Sequence, residues 1–401
     1  MFRVFGVAIG WGLVCILAIP ALAATYSVLP DGSGDYATIQ QAISAAEDGD
    51  VIELGDGTFT GEGNRDFFIY GKEITLRSQS GDAESCIIDA FDAVEDHDIF
   101  GFQGTPEACH IENIQFTGGV SAQYGGAVFM DLGASPQFEG CIFRDNFAQR
   151  GGAVFVGRDC EPTFTDCEFT GNSAEDFAGG VMCAYETSHA TFDHCLFIRN
   201  SAGGHGGGFA AWNECSPTLT NCTFYENSSA EGSGIGLRWG AAPTISRTII
   251  AYGRLGAAFY GDGSATITIS CCNLFANHGG DWAGPVVGLE GSDGNISLNP
   301  LFCDRGVDDL SLASDSPSAA FTAPNGACDY QGAVSASCPS VFVCCVAGEC
   351  QLVSYTECQS LGGDIVSDPA IERSCEPNPC PVPIEEVSWG TIKAQYRSLA
   401  D

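Results

Sequence analysis

Asp31-Gly-Ser-Gly-Asp35 places two carboxylates at i and i+4 among flexible glycines. Oxygen ligands so spaced suit a hard cation such as calcium, and the same residues also make an ordinary turn. Asp308-Asp309 pairs two acids, but beside Gly306 a turn is the simpler account. His194 follows Asp193, the order expected of an oriented general base. Its equivalents in the repeats described below are Gly140, Asp166 and Asn221, so it reads as a variable turn position. His97, His110, His189, His205 and His278 lack the short spacings of metal ligands. Arg144, Arg158, Arg199 and Arg238 could line a groove, yet no two share a slot in adjacent repeats, and pairing with the abundant acids accounts for them. No catalytic residue is assigned, and Asp31 and Asp35 are the candidate metal ligands, with calcium the one cofactor considered.

These residues sit on a periodic frame. Cys141-Ile-Phe-Arg-Asp-Asn146, Cys167-Glu-Phe-Thr-Gly-Asn172, Cys195-Leu-Phe-Ile-Arg-Asn200, Cys222-Thr-Phe-Tyr-Glu-Asn227 and Cys272-Asn-Leu-Phe-Ala-Asn277 align. Ile114 to Gly119 precedes them and Thr248 to Gly253 is a degenerate copy, so the period is 24 to 28 residues. Gly125-Gly-Ala-Val-Phe129, Gly151-Gly-Ala-Val-Phe155, Gly179-Gly-Val-Met-Cys183 and Gly206-Gly-Gly-Phe-Ala210 alternate with that motif, and Pro136, Pro162, Pro217 and Pro243 stand five residues ahead of it. The period is too short for a crossover helix in each repeat, and the Phe, Ile, Val and Thr content calls for strands and turns. The expectation is an all-β solenoid of about seven such coils stacked about 4.8 Å apart. Residues i and i+2 of a strand face one side. Cys141, Cys167, Cys195, Cys222 and Cys272 therefore form one inward ladder beside Phe143, Phe169, Phe197 and Phe224. Asn146, Asn172, Asn200, Asn227 and Asn277 fall at turns, where asparagine tolerates left-handed backbone and bonds neighbouring coils.

The Phe-x-x-Asn and Gly-Gly-Ala elements resemble repeats of the chlamydial polymorphic outer membrane proteins, and Tyr36 to Asp50 with Val51 to Leu54 resembles the opening of pectate-lyase-like and pectinesterase-like proteins. Both resemblances imply a right-handed parallel β-helix. The second implies an N-terminal capping helix, for which Ile39, Ala42, Ile43 and Ala46 supply an apolar face. Asn299 to Cys303, Leu310 to Leu312 and Gln331 to Ala333 are similar to closing coils of bacterial β-helix proteins. Chlamydial members continue into an outer-membrane barrel; too few residues follow the last coil here for one to be expected. Lyases on this fold use Arg or Lys beside calcium-holding acids and hydrolases use clustered Asp. Neither cluster stands out here.

Arg3, the apolar run Val4 to Leu22 and Ala21-Leu22-Ala23 read as a cleavable export signal. No later stretch has the apolar length of a membrane-spanning helix. The formal charge of −36 repels nucleic-acid phosphates and anionic lipids. Twenty-one Cys, an even twenty once Cys15 leaves with the signal, fit an oxidising destination. The ladder cysteines read as small buried apolar residues; disulfides between coils or a metal stripe are the rival accounts. Cys344, Cys345, Cys350, Cys358, Cys375 and Cys380 sit among little apolar material and suit a disulfide-stapled module with open connectivity. The organisation expected is a signal over 1–23, a β-helix over 24–335 (cap about 26–60, regular coils about 109–280, closing coils about 281–335), the Cys-rich module over 336–381 and a tail over 382–401. The functional expectation is a secreted or cell-surface protein, without catalysis, whose solenoid face serves adhesion or glycan binding. The alternative is a pectate-lyase-like or other carbohydrate-active enzyme. A glycan or another surface is the expected partner, not nucleic acid.

Overall fold

The computed structural model describes residues 23–91, 97–104, 108–185, 187–324 and 326–338, and the backbone of strands Phe342–Val346, Glu349–Val353 and Asp364–Ile365. The chain winds as a parallel β-solenoid. A ten-stranded sheet runs from Thr25–Val28 to Thr268–Ser270, a nine-stranded sheet from Gly57–Phe59 to Asn273–Phe275, and an eight-stranded sheet from Phe67–Tyr70 to Phe259–Gly261. A short four-stranded sheet, Val120–Tyr124 to Ser201–Ala202, joins the last two. The coils begin well before residue 109. Gly57–Phe59 and Cys86–Asp89 already occupy the motif's sheet, with Ile88 opposite Phe116 and Cys86 thus in the ladder slot. They escape the repeat because neither carries the asparagine.

The interior follows from stacking like on like. Phe143, Phe169, Phe197 and Phe224 lie ring on ring, with centroids 4.8, 4.8 and 4.3 Å apart and planes within 11°. A second column, Phe138, Phe164 and Phe192, stacks at 4.9 and 4.8 Å. The prolines end the turn just before these strands, where a missing N–H costs nothing, and their carbonyls accept from the next coil, as Thr163 to Pro136 does. Gly125, Gly151, Gly206 and Gly232 share a left-handed turn slot; a Cβ on Gly125 would meet the Val128 carbonyl oxygen at 2.1 Å. In this column Ala178, not Gly179, takes the glycine's place, so Gly179 aligns one residue later than its sequence suggests. The capping helix spans Ile39–Ala45, with Thr38 Oγ1 accepting from the Gln41 amide and Ile39, Ala42 and Ile43 buried.

The asparagines form a buried hydrogen-bonded chain. Nδ2 of Asn172 and of Asn200 donates to the carbonyls of Phe143 and Phe169 in the coil before, at 2.8 and 2.7 Å. Each Oδ1 accepts from the preceding asparagine's amide and Nδ2: Asn172 donates both to Asn200 Oδ1 at 3.0 Å. Gly253 interrupts the series after Asn227, and Asn277 Oδ1 accepts its amide at 3.0 Å.

The ladder cysteines are free and buried. Their thiols donate to carbonyls of the coil before, Cys141 to Ile111 and Cys195 to Phe164, at 3.4 and 3.3 Å. Burial pushes Cys141 and Cys195 far above the ordinary thiol range, and Cys272 up to about 12. Since the thiolate is the nucleophile, these thiols should resist alkylation by iodoacetamide at pH 8 until guanidinium unfolds the chain. Peptide mapping that finds Cys195 labelled in the native protein would contradict this.

Among the described residues two disulfides join cysteines outside the ladder, Cys271–Cys328 and Cys303–Cys338. They fasten the closing segment, in which Phe302, Leu310 and Leu312 pack against Tyr225 and Ile249 on the outside of the motif sheet. Asp308 is held there by Arg199, whose Nη1 and Nη2 donate at 2.6 and 2.5 Å, so this acid anchors the segment. In the Cys-rich module the described strands form an antiparallel sheet with Cys345 opposite Cys350. Its cysteine pairing, Cys358, Cys375, Cys380, the C-terminal tail and the segment expected as an export signal, up to residue 22, lie outside the described residues.

Candidate functional site: an aromatic groove beside the solenoid

Asp31 and Asp35 each accept hydrogen bonds from a nearby serine. Asp31 Oδ1 accepts the Ser33 amide at 3.0 Å, and Asp35 Oδ2 accepts the amide and hydroxyl of Ser27, both at 2.8 Å. These bonds hold both carboxyls below their usual range. Among the described residues no three His, Cys, Asp or Glu side chains gather as a metal set. His194 lies in the left-handed turn column of Gly140, Asp166 and Asn221. Its Nδ1 is 3.1 Å from Asp193, and Nε2 meets the Tyr330 hydroxyl, which docks the closing segment.

What the register assembles instead is a groove beside the outer face of the eight-stranded sheet. Tyr124, Arg150, Phe177 and His205 align coil on coil at the edge of the short sheet. The Arg150 guanidinium lies 5.8 Å from the Tyr124 ring centre and 5.7 Å from that of Phe177. Phe177 stacks on His205 at 5.3 Å, and His205 on Tyr260 at 4.7 Å. On the neighbouring strands Trp212 meets Phe177 at 4.1 Å and Trp239 at 4.8 Å, with Arg238 over both indoles. Two confluent hollows result, of about 290 and 510 Å³, sharing Tyr185, Asn213 and Trp239. Arg158 lines the wider one, bidentate on Asp131 at 3.2 and 2.6 Å.

The rim carries strain. Where the eight-stranded sheet turns away, Leu132, Tyr185 and Trp239 hold φ of 56°, 93° and 51°, in a column where other coils have Gly71, Gly104 and Asn213. Large side chains rarely adopt this conformation, and such outliers gather at functional sites. All three face solvent, at 50, 38 and 50 % exposure.

His205 ties the groove together. Arg238 Nη1 can only donate, so His205 Nε2 accepts it at 2.8 Å, and Nδ1 lies 2.5 Å from Glu231. Burial holds this imidazole below its ordinary value, reinforced by Arg238 and opposed by Glu231 and Asp262. The unfolded chain then binds the proton more readily, so stability falls as pH drops below about 6.5. His205→Gln should flatten that part of the profile; melting temperatures of both proteins from pH 5 to 7.5 that run parallel would refute it.

Of the arginines singled out in the sequence, Arg158 and Arg238 line the groove while Arg144 and Arg199 pair with acids elsewhere. Arg150, Trp212 and Trp239 were not singled out. A signal was present, since Trp239-Gly240 and Leu132-Gly133 put large residues into a turn that Gly104 occupies in another coil.

The sequence model of the family described as right handed beta helix region matches residues 99–230 and, in a second alignment, 126–285. No curated protein matches the sequence. Among solved structures, the pectate lyase Pel9A is 16% identical over 63% of this chain and 70% of its own, with a TM-score of 0.48. A pectin methylesterase from Aspergillus niger is 16% identical over 70% of this chain and 91% of its own, at 0.37. A mannuronic acid specific family 6 polysaccharide lyase from human gut microbiota is 13% identical over 64% of this chain and 82% of its own, at 0.27.

Proposed function

We propose that this right-handed β-helix is an exported glycan-binding protein whose working surface is the groove between Tyr124 and Trp239, and that it binds without turning its ligand over. The observation that carries the reading is the rim: large side chains kept exposed at positive φ where smaller residues serve in other coils. Flat apolar rings with polar edges are suited to the mixed faces of sugars, which present C–H groups on one side and hydroxyls around the edge. From Tyr124 to Trp239 the groove spans five stacked coils. That is about 19 Å at the usual spacing, room for several sugar rings in a row.

An enzymatic reading would draw on His205, Glu231 and Arg238, an imidazole, an acid and a guanidinium in mutual contact beside the rings. Here each engages another, as expected of a structural cluster. Applying the full chain to a glycan array, followed by titration with each hit while tryptophan emission is read, tests the binding. Emission should change because both Trp212 and Trp239 line the groove. In parallel, polygalacturonate with calcium is followed for absorbance of unsaturated product. Chelator-sensitive turnover would overturn the non-catalytic reading, and an array without hits would overturn glycan binding.

A further inference from the structure

Resting on the glycan-binding reading, we infer that the groove takes a neutral glycan and rejects acidic ones. Three guanidiniums line it, and each has a carboxylate beside it. Arg158 is bidentate on Asp131, Arg150 Nε is 3.7 Å from Asp176, and Arg238 Nε is 3.9 Å from Asp262. Glu231 faces His205, and Asp159 and Glu214 stand on the rim with no hydrogen bond to their carboxylates among the described residues. Six acids thus surround three arginines, within a chain of formal charge −36. A carboxylate or sulfate entering here would meet like charge that no cation is left to offset.

The polar groups that remain suit hydroxyls. The rim carboxylates of Asp159 and Glu214 can accept from sugar O–H groups, which donate as well as accept. Trp212 Nε1 and the Nε atoms of Arg150 and Arg238 are N–H donors without a hydrogen-bond partner among the described residues. These atoms are buried, so a ligand's hydroxyls are met chiefly by the two exposed rim carboxylates. The exposed rings of Tyr185 and Trp239 offer apolar faces to pyranose C–H groups.

The test is titration of the full chain with cellohexaose, xylohexaose, mannohexaose and laminarihexaose against hexagalacturonate and hexamannuronate, reading tryptophan emission at about 0.01 and 0.15 M salt. At the lower salt the field reaches about 30 Å and at the higher about 8 Å. At least one neutral hexamer should bind at least tenfold tighter than either uronate at low salt, and its affinity should change less than twofold between the two conditions. The combined variant Asp159→Asn, Glu214→Gln, both exposed rim positions, should narrow the preference at least threefold. A uronate that binds tighter than every neutral probe, and weakens as salt rises, overturns the inference and leaves a glycan groove standing. Binding by neither class overturns both.

Discussion

Asn200→Ala is expected to lower the unfolding free energy by about 3–5 kcal/mol, since each buried polar group left unpaired costs about 1–3 kcal/mol. The side chain is wholly buried. Its removal orphans the Asn172 amide and one Nδ2 hydrogen, and leaves the Phe169 carbonyl and Asn227 Oδ1 each one donor short. In the native chain these groups are buried away from solvent, and alanine leaves a polar cavity. Asn200→Asp keeps the acceptors and loses both donors while burying a charge, so it should be no better. Asn277→Ala, at the end of the series beyond Gly253, should cost less than half as much. Chemical denaturation read by far-ultraviolet circular dichroism measures all three. A solenoid coil contacts only its neighbours, so the break at Asn200 should also split one transition into two. A single transition with less than about 1 kcal/mol lost would mean that the asparagine chain does not hold the coils together.

The scaffold was readable because stacking demands it. Inward Cys, Phe and Asn meet their own kind one coil away, which keeps these residues in phase along the sequence. The readable part stopped where phase was lost. Cys86 holds the ladder slot without an asparagine to mark it, and Ala178 in a glycine slot shifts the Gly-Gly pair by one. The disulfides of the closing segment obey no period, since Cys271–Cys328 and Cys303–Cys338 bridge 57 and 35 residues. The groove was hidden for a related reason. Outward positions need not match in residue type between coils, so Tyr124, Arg150 and Phe177 fill one slot and Trp212 and Arg238 another with unlike side chains, and only the register reveals that they meet. Pairing of the arginines with acids was foreseen; their convergence on aromatic rings was not.

Trp239→Gly should separate function from stability at the rim. Left-handed backbone costs a non-glycine residue roughly 1–2 kcal/mol, which glycine relieves. Against that stand the extra freedom of glycine in the unfolded chain, about 0.5–1 kcal/mol, and the contacts of a half-exposed ring with Trp212 and Arg238. These opposing effects are of similar size, so the net change in stability should lie within about 1 kcal/mol of zero. Glycan affinity should nevertheless fall tenfold or more, because the indole is a platform that glycine cannot replace. Trp239→Ala removes the platform but keeps the strained backbone, so it should match glycine in binding loss and be the less stable of the two. A tryptophan retained only for packing would reverse the pattern, with both variants clearly destabilised and neither weakened in binding. Paired denaturation and titration curves distinguish the two outcomes, and the backbone at residue 239 is the right place to ask because a left-handed turn gives this side chain no structural reason to be large.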